Sequence, residues 1–173
     1  MAQGTSQLPK PTFEMLRSHR LVDGLNDETV RLFADGLPCE AFQPGDMLMH
    51  EGEVAAHMFV IFTGEVEIVA SGKHGNVRVA LLGPGDWVGE MGILDPQPRS
   101  ATARALAPSM VLKLTADDVY RLTRDRDLSQ YTQLVLNVAC ELSRRLRVAD
   151  RLIANSGATM AQEYVHLSMR PPG

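Results

Sequence analysis

Two residues in the middle of the chain carry opposite charges in a setting suited to an anionic ligand. Glu90 follows Gly89, and Arg99 comes nine positions later, followed by Ser100 and Ala101. An arginine presents a rigid fork of N–H donors that fits an oxyanion better than the point charge of a lysine. Ser100 can add a hydroxyl donor and Ala101 a backbone N–H. Between the charged residues, the apolar run from Met91 to Leu94 has the length of one helical turn, and the open N–H groups of such a turn favour negative charge. An ionised Glu90 only accepts hydrogen bonds, so it suits a hydroxyl beside the anion. On spacing alone, the two charges could equally pair with each other.

Such groups need a rigid frame, and the preceding sequence reads as β structure. From Pro38 onward, helical spacing gives way to short alternating runs cut by glycine-containing turns. Residues Met58 to Ala70 are rich in β-branched and aromatic side chains and are interrupted at Thr63-Gly64, which predicts two strands joined by a tight turn. A polar, glycine-rich hairpin loop is expected from Ser71 to Asn76. Gln43-Pro44-Gly45-Asp46 and Gly83-Pro84-Gly85-Asp86 are two nearly identical corners, in which proline presets one φ and glycine supplies a positive one. The last strands are expected at Ala101 to Ala105 and Met110 to Leu114. Together these short strands predict an antiparallel sandwich or barrel.

Helices flank this frame. One is expected from Thr12 to Arg20, capped by Thr12, and a second begins at the cap Asn26 and ends with Gly36 in a left-handed conformation. Thr115 and Asp118 form an acidic variant of the capping box. After a polar break at Arg124 to Asp127, a long helix is expected from Leu128 to Ala154. Its apolar positions Leu128, Tyr131, Val135, Val138, Leu142, Leu146, Ala149 and Ile153 approach a heptad seam. The domain is therefore expected at residues 12–154, with flexible tails at 1–11 and 155–173.

The 173 residues suffice for one domain with a real core. A formal net charge of -4 gives no general attraction to nucleic acid or to an acidic membrane surface. The polar start lacks a signal core, and no apolar run has the length of a spanning helix, so a reducing cytoplasm is the expected location. Cys39 and Cys140 are too far apart to form a metal motif and are expected to pack as small apolar residues. A metal enzyme on a similar β-roll would need a close His-x-His pair. His50, His57 and His74 do not supply one, so neither a metal site nor catalysis is expected.

The order Gly89-Glu90-x-Gly-Ile-Leu94, a short loop, then Pro98-Arg-Ser-Ala-Thr102 resembles the cyclic nucleotide-binding domain of catabolite activator proteins, cyclic nucleotide-dependent kinases and cyclic nucleotide-gated channels. The resemblance covers Met15 to Ile153. It is supported by the two Pro-Gly-Asp corners, by Gly52 after a strand, by the Phe59-to-Val66 hairpin and by the long last helix. It implies an α+β fold, in which an antiparallel, jelly-roll-like β-roll is flanked by N-terminal helices and a long C-terminal helix. It also implies a non-catalytic regulatory module that binds cAMP, with cGMP as the alternative ligand. Gly89, Glu90, Met91, Arg99, Ser100 and Ala101 would hold the ribose and cyclic phosphate. By the same resemblance the base would lie between the roll and the last helix, with Ile68, Val79 and Leu82 forming either its apolar wall or plain core. Arg145 would approach Glu90 or the ribose, or act as an edge cation.

The chain departs from the catabolite activator pattern near the base. A Thr-Ser pair is expected after the Arg144-to-Val148 segment, but Ala149-Asp150 stands there. Ala149 cannot hydrogen-bond a base, whereas Asp150 could accept from adenine or, with two adjacent donors, from guanine, or simply be solvated. The seam of the last helix implies a homodimer, with packing on its own roll as the alternative. Residues 155–173 are too few for a DNA-binding winged helix, so the expectation is a sensor without an attached effector, or a fragment, acting on an unknown partner protein. A degenerate domain that serves protein interaction is the remaining alternative.

Overall fold

The computed structural model describes residues 11–124 and 127–156. The tails expected at the two ends lie mostly outside these residues. Pro11, expected in the first tail, is buried, and the last helix runs two residues past Ala154 to Ser156. The chain divides into two compact units, one ending at Val135 and the other starting at Leu136.

The first unit is built on two four-stranded antiparallel sheets. One sheet has the order β1 (Cys39–Phe42), β8 (Ser109–Thr115), β3 (His57–Thr63), β6 (Trp87–Val88). The other has the order β2 (Met47–Met49), β7 (Thr102–Ala105), β4 (Val66–Gly72), β5 (Gly75–Leu82). Their facing sides make one apolar core that includes Phe59, Ile61, Val66, Ile68, Ala103, Ala105 and Val111. Alternation of side chains across each strand puts these residues inside. The predicted antiparallel β-roll with flanking helices is therefore the observed architecture.

The two Pro-Gly-Asp corners are built alike. Gly45 and Gly85 adopt φ of 97° and 93°. In each, the aspartate carboxylate accepts the first residue's N–H, at 2.7 Å from Gln43 and 3.0 Å from Gly83. Each glycine N–H then donates across the roll, Gly45 to the Ala105 carbonyl at 2.8 Å and Gly85 to that of Ile61 at 3.1 Å. The repeated motif thus fastens one corner of each sheet.

Several local expectations are corrected. β3 and β4 do follow one another through Thr63-Gly64, but they do not pair. β3 bonds to β6 and β8, and β4 bonds to β5 and β7, so the expected hairpin is a crossing between the two sheets. The true hairpin, β4–β5, is tighter than expected. Its strands pair out to Gly72 and Gly75, which leaves Lys73 and His74 as the turn. The first helix, α1 (Phe13–Arg17), stops short of Arg20 and is followed by a separate 3-10 turn at Arg20–Val22. His19 starts that turn by accepting the Leu21 N–H on Nδ1 at 3.2 Å. Gly36 is the last residue of α2 (Asp27–Gly36) and is not left-handed; Leu37 ends the helix in an extended conformation, donating to the Phe33 carbonyl. Cys39 is half-buried but Cys140 is exposed, so only the first approaches the packed role expected of both.

The N-terminal caps agree with the sequence. The Asn26 side chain accepts the Thr29 N–H at 2.9 Å. Thr115 and Asp118 form the full reciprocal capping box of α4 (Ala116–Val119), which continues into a π-helical turn at Tyr120–Arg124. Burial would raise the Asp118 pKa, but the Thr115 hydroxyl and Arg121 outweigh it and hold the carboxyl below its ordinary value. α5 (Leu128–Ser156) begins in the first unit. There Gln130 Oε1 accepts the Asn26 N–H at 2.7 Å, and the Tyr120 and Tyr131 rings stack at 5.7 Å. The rest of α5 forms the second unit, where Glu141 pairs with Arg144 at 3.1 Å and Arg145 at 3.5 Å, one turn along the helix. Among its apolar side chains, Val138 is buried while Leu146 is 50% exposed.

Candidate functional site

The site is organised by the clamp on Arg99. The backbone of this residue is held on both sides by the β2–β3 loop. Its N–H donates to the Glu53 carbonyl at 2.9 Å, and its own carbonyl accepts the Gly52 N–H at 2.9 Å. A further bridge between Val54 and Pro98 continues the contact. The side chain is equally fixed. Nη1 donates to the Gly89 carbonyl at 2.7 Å and Nη2 to the His57 carbonyl at 2.6 Å. Two carbonyls thereby set the plane of the guanidinium without neutralising it.

The result is a cation that is only 6% exposed. Burial lowers its pKa, and the charges of Glu53 and Glu90 oppose that shift. The Nε atom is buried with no hydrogen-bond partner among the described residues. A buried donor left unmatched is costly, and an oxyanion would satisfy both the donor and the charge. The donor set therefore fits an anionic group.

Glu90 is also buried, at 3% exposure, and stands immediately before α3 (Met91–Leu94). α3 is the expected single helical turn. Its inner N–H groups are largely used within the turn, Gly92 bonding to Gly89 and Ile93 to Glu90. Anion donors from this element must then come from its first residues. Two glycines let this turn approach the arginine. Gly89 has φ 87°, and a Cβ there would lie 2.8 Å from Arg99 Nη1. At Gly92 a Cβ would meet the Ala55 carbonyl oxygen at 2.5 Å. These are backbone and guanidinium positions with no room to yield, so both sites need glycine.

The roll therefore brings Gly89, Glu90, Met91, Arg99, Ser100 and Ala101 into one neighbourhood. Ser100 and Met91 are exposed, whereas Ala101 is buried in the core. Of the three predicted wall residues, Ile68 is in the core and Leu82 packs against it. Val79 does not join them: it is 57% exposed. The register of β4 and β5 shifts between Ile68 and Val69, so Ile68 faces Ala80 while Ala70 faces Val77. The extra residue displaces Val79 from the inner row, which Ala80 and Leu82 hold against the core; Val77, opposite Ala70, is itself 55% exposed. Arg145, Ala149 and Asp150 belong to the second unit. Arg145 and Ala149 are half-buried one turn apart on α5, and Asp150 is exposed.

Sequence reasoning missed Glu53 and His57, because they act through main-chain carbonyls, which carry no residue signature. Gly52, flagged only by resemblance, turns out to hold the arginine segment directly. Among the described residues, no group of three or more His, Cys, Asp or Glu side chains could hold a metal, and no helix is long and apolar enough to cross a membrane.

Comparison with known proteins gives the chain its family. Residues 39–126 match the family model described as cyclic nucleotide-binding domain. The chain is 32% identical over 136 residues to the cyclic AMP receptor protein of Thermus thermophilus, covering 78% of this chain and 61% of that protein. It is 30% identical over 122 residues to the cAMP-dependent protein kinase regulatory subunit of Yarrowia lipolytica, covering 70% of this chain and 32% of that protein. The chain thus spans less than two thirds of either relative. Among solved structures, a cyclic nucleotide-binding domain from Methylobacillus flagellatus matches with a TM-score of 0.76 at 25% identity, covering 84% of each chain. The chain belongs to the cyclic nucleotide-binding domain family.

Proposed function

We propose that this protein is a cyclic nucleotide sensor with cAMP as its ligand. The observation that supports this most is the state of Arg99: a buried cation, fixed by two carbonyls, with an unmatched Nε donor and a buried carboxylate nearby. In this reading Arg99 takes the exocyclic oxygens of the cyclic phosphate. Ser100 and the first N–H groups of the Gly89-to-Met91 segment add donors, and Glu90 accepts from the ribose 2′-hydroxyl. Leu82, Ile68 and Ala80 give the base an apolar wall. The protein does no covalent chemistry on the nucleotide. Binding shifts an equilibrium between conformations because the ligand prefers one of them.

The signal in this reading passes through α5. Its seam from Leu128 to Ile153 is suited to pairing with a second copy, and Leu128 and Leu146 are 63% and 50% exposed. An effector protein then reads the state of that helix. A preference for cGMP is the second reading, favoured by Asp150, whose exposed carboxylate can accept two adjacent guanine donors while Ala149 offers none.

A pair of titrations separates these readings. Wild-type protein is expected to bind cAMP more tightly than cGMP, and Asp150→Ala to lower cGMP affinity more than cAMP affinity. Tighter binding of cGMP by the wild type selects the second reading, and equal effects of Asp150→Ala on both nucleotides remove that residue from base recognition.

A further inference from the structure

The β4–β5 hairpin ends beside the arginine segment, and one carboxylate links the two. Glu51 lies in the loop after β2, immediately before Gly52, whose N–H holds the Arg99 carbonyl. The Glu51 N–H donates to Thr102 Oγ1 at 3.0 Å. Its Oε2 accepts the backbone N–H of Ser71 at 2.8 Å. Ser71 is the penultimate residue of β4, across from Asn76 at the outer end of the hairpin.

The register explains why a side chain is needed there. β7 pairs with β4 only as far as Thr102 opposite Val69. Beyond that point the chain leaves the ladder to form the Ser100-Arg99 segment. The Ser71 N–H would be left at a strand end with no β7 carbonyl to receive it, and the Glu51 carboxylate takes that place. Glu51 thus touches the hairpin with its side chain and the start of β7 with its main chain. Its neighbour Gly52 touches the arginine. Three segments around the site meet at two consecutive residues.

We propose that Glu51 is a positioning residue that latches the β4–β5 hairpin to the arginine segment and so slows release of the bound nucleotide. The role in retention rests on the cyclic nucleotide reading; the latch itself does not. A neutral glutamine retains an acceptor oxygen at the same reach, so the latch depends on the hydrogen bond and not on the charge. Loss of the carboxylate frees the outer hairpin, in which Ala70 packs against the core, without touching Arg99 or Glu90.

The test uses Glu51→Ala and Glu51→Gln in the full chain, with two readouts. Amide hydrogen exchange at Ser71 in the nucleotide-free protein is expected to rise about fivefold in Glu51→Ala, the change typical of one hydrogen bond, and to return towards wild type in Glu51→Gln. The dissociation rate of cAMP, followed by competition with a fluorescent analogue, is expected to rise by a similar factor in the alanine variant only. Unchanged exchange at Ser71 overturns the latch. Faster exchange with an unchanged dissociation rate overturns its role in retention. Wild-type protein that binds neither cAMP nor cGMP overturns the cyclic nucleotide reading and the retention role together, while the exchange result still decides the latch.

Discussion

At the scale of single residues, the account turns on how completely Arg99 is held before any ligand arrives. Four main-chain bonds, two to its backbone and two to its guanidinium, fix its position. Arg99→Ala is expected to weaken nucleotide binding by at least about tenfold, as removal of a charge-assisted contact does. Arg99→Lys recovers little, because an ammonium cannot satisfy both carbonyls and an anion in one plane. Gly92→Ala forces α3 away from the Ala55 carbonyl. It is expected to cost about 1–3 kcal/mol of stability in urea denaturation, the range for overpacking a tight site. The pair Glu90 and Arg99 was legible in the sequence because a carboxylate and a guanidinium announce themselves by type. Their supports were not, since Glu53 and His57 contribute carbonyls that any residue would supply. Val79 was misplaced for a different reason. It was placed by resemblance, which carries no mark of the local bulge, and one extra residue in β5 moves a side chain to the other face.

At the scale of elements, N-capping and corner motifs carried the most reliable information, because each is closed by bonds among near neighbours in sequence. The Thr115–Asp118 box formed as written, and Thr115→Ala is expected to cost about 1 kcal/mol, measured as a shift in the urea midpoint. The crossing from β3 to β4 was not legible. Alternating side chains mark a strand and its inner face but not the sheet to which it belongs. The turn after α1 was missed because a histidine is an unusual cap. That cap carries a pH dependence. His19 is buried, and its pKa is lowered from 6.5 chiefly by burial, with the Arg20 charge adding to that and Asp86 opposing it. His57 is lowered in the same way, by burial and then by the Arg99 and Lys113 charges. Protonating His19 would also remove the Nδ1 acceptor that Leu21 uses. The unfolded chain therefore binds the proton first, and stability falls as pH drops below 6.5. Urea midpoints measured from about pH 7.5 to pH 5.5 are expected to decline, and His19→Phe to flatten part of that slope. A slope unchanged by the substitution would assign the effect elsewhere.

At the scale of the whole molecule, the roll is a frame whose β2–β3 loop holds one buried cation and, through Glu51, the end of the hairpin. In the proposed function the long helix that follows passes on the result. Its apolar seam was visible as periodicity, but a period alone does not say what covers it. Light scattering is expected to give the mass of a dimer, and a substitution such as Leu146→Glu on the seam to give that of a monomer; a monomeric wild type would leave the seam to contacts within one chain. The central claim is that the Arg99 site takes a cyclic nucleotide, and calorimetric titration with cAMP and cGMP tests it most directly. The account predicts saturable binding of at least one nucleotide at micromolar affinity or tighter, reduced by at least about tenfold in Arg99→Ala. Absence of heat with both nucleotides at millimolar concentration, or undiminished binding in the variant, would contradict it.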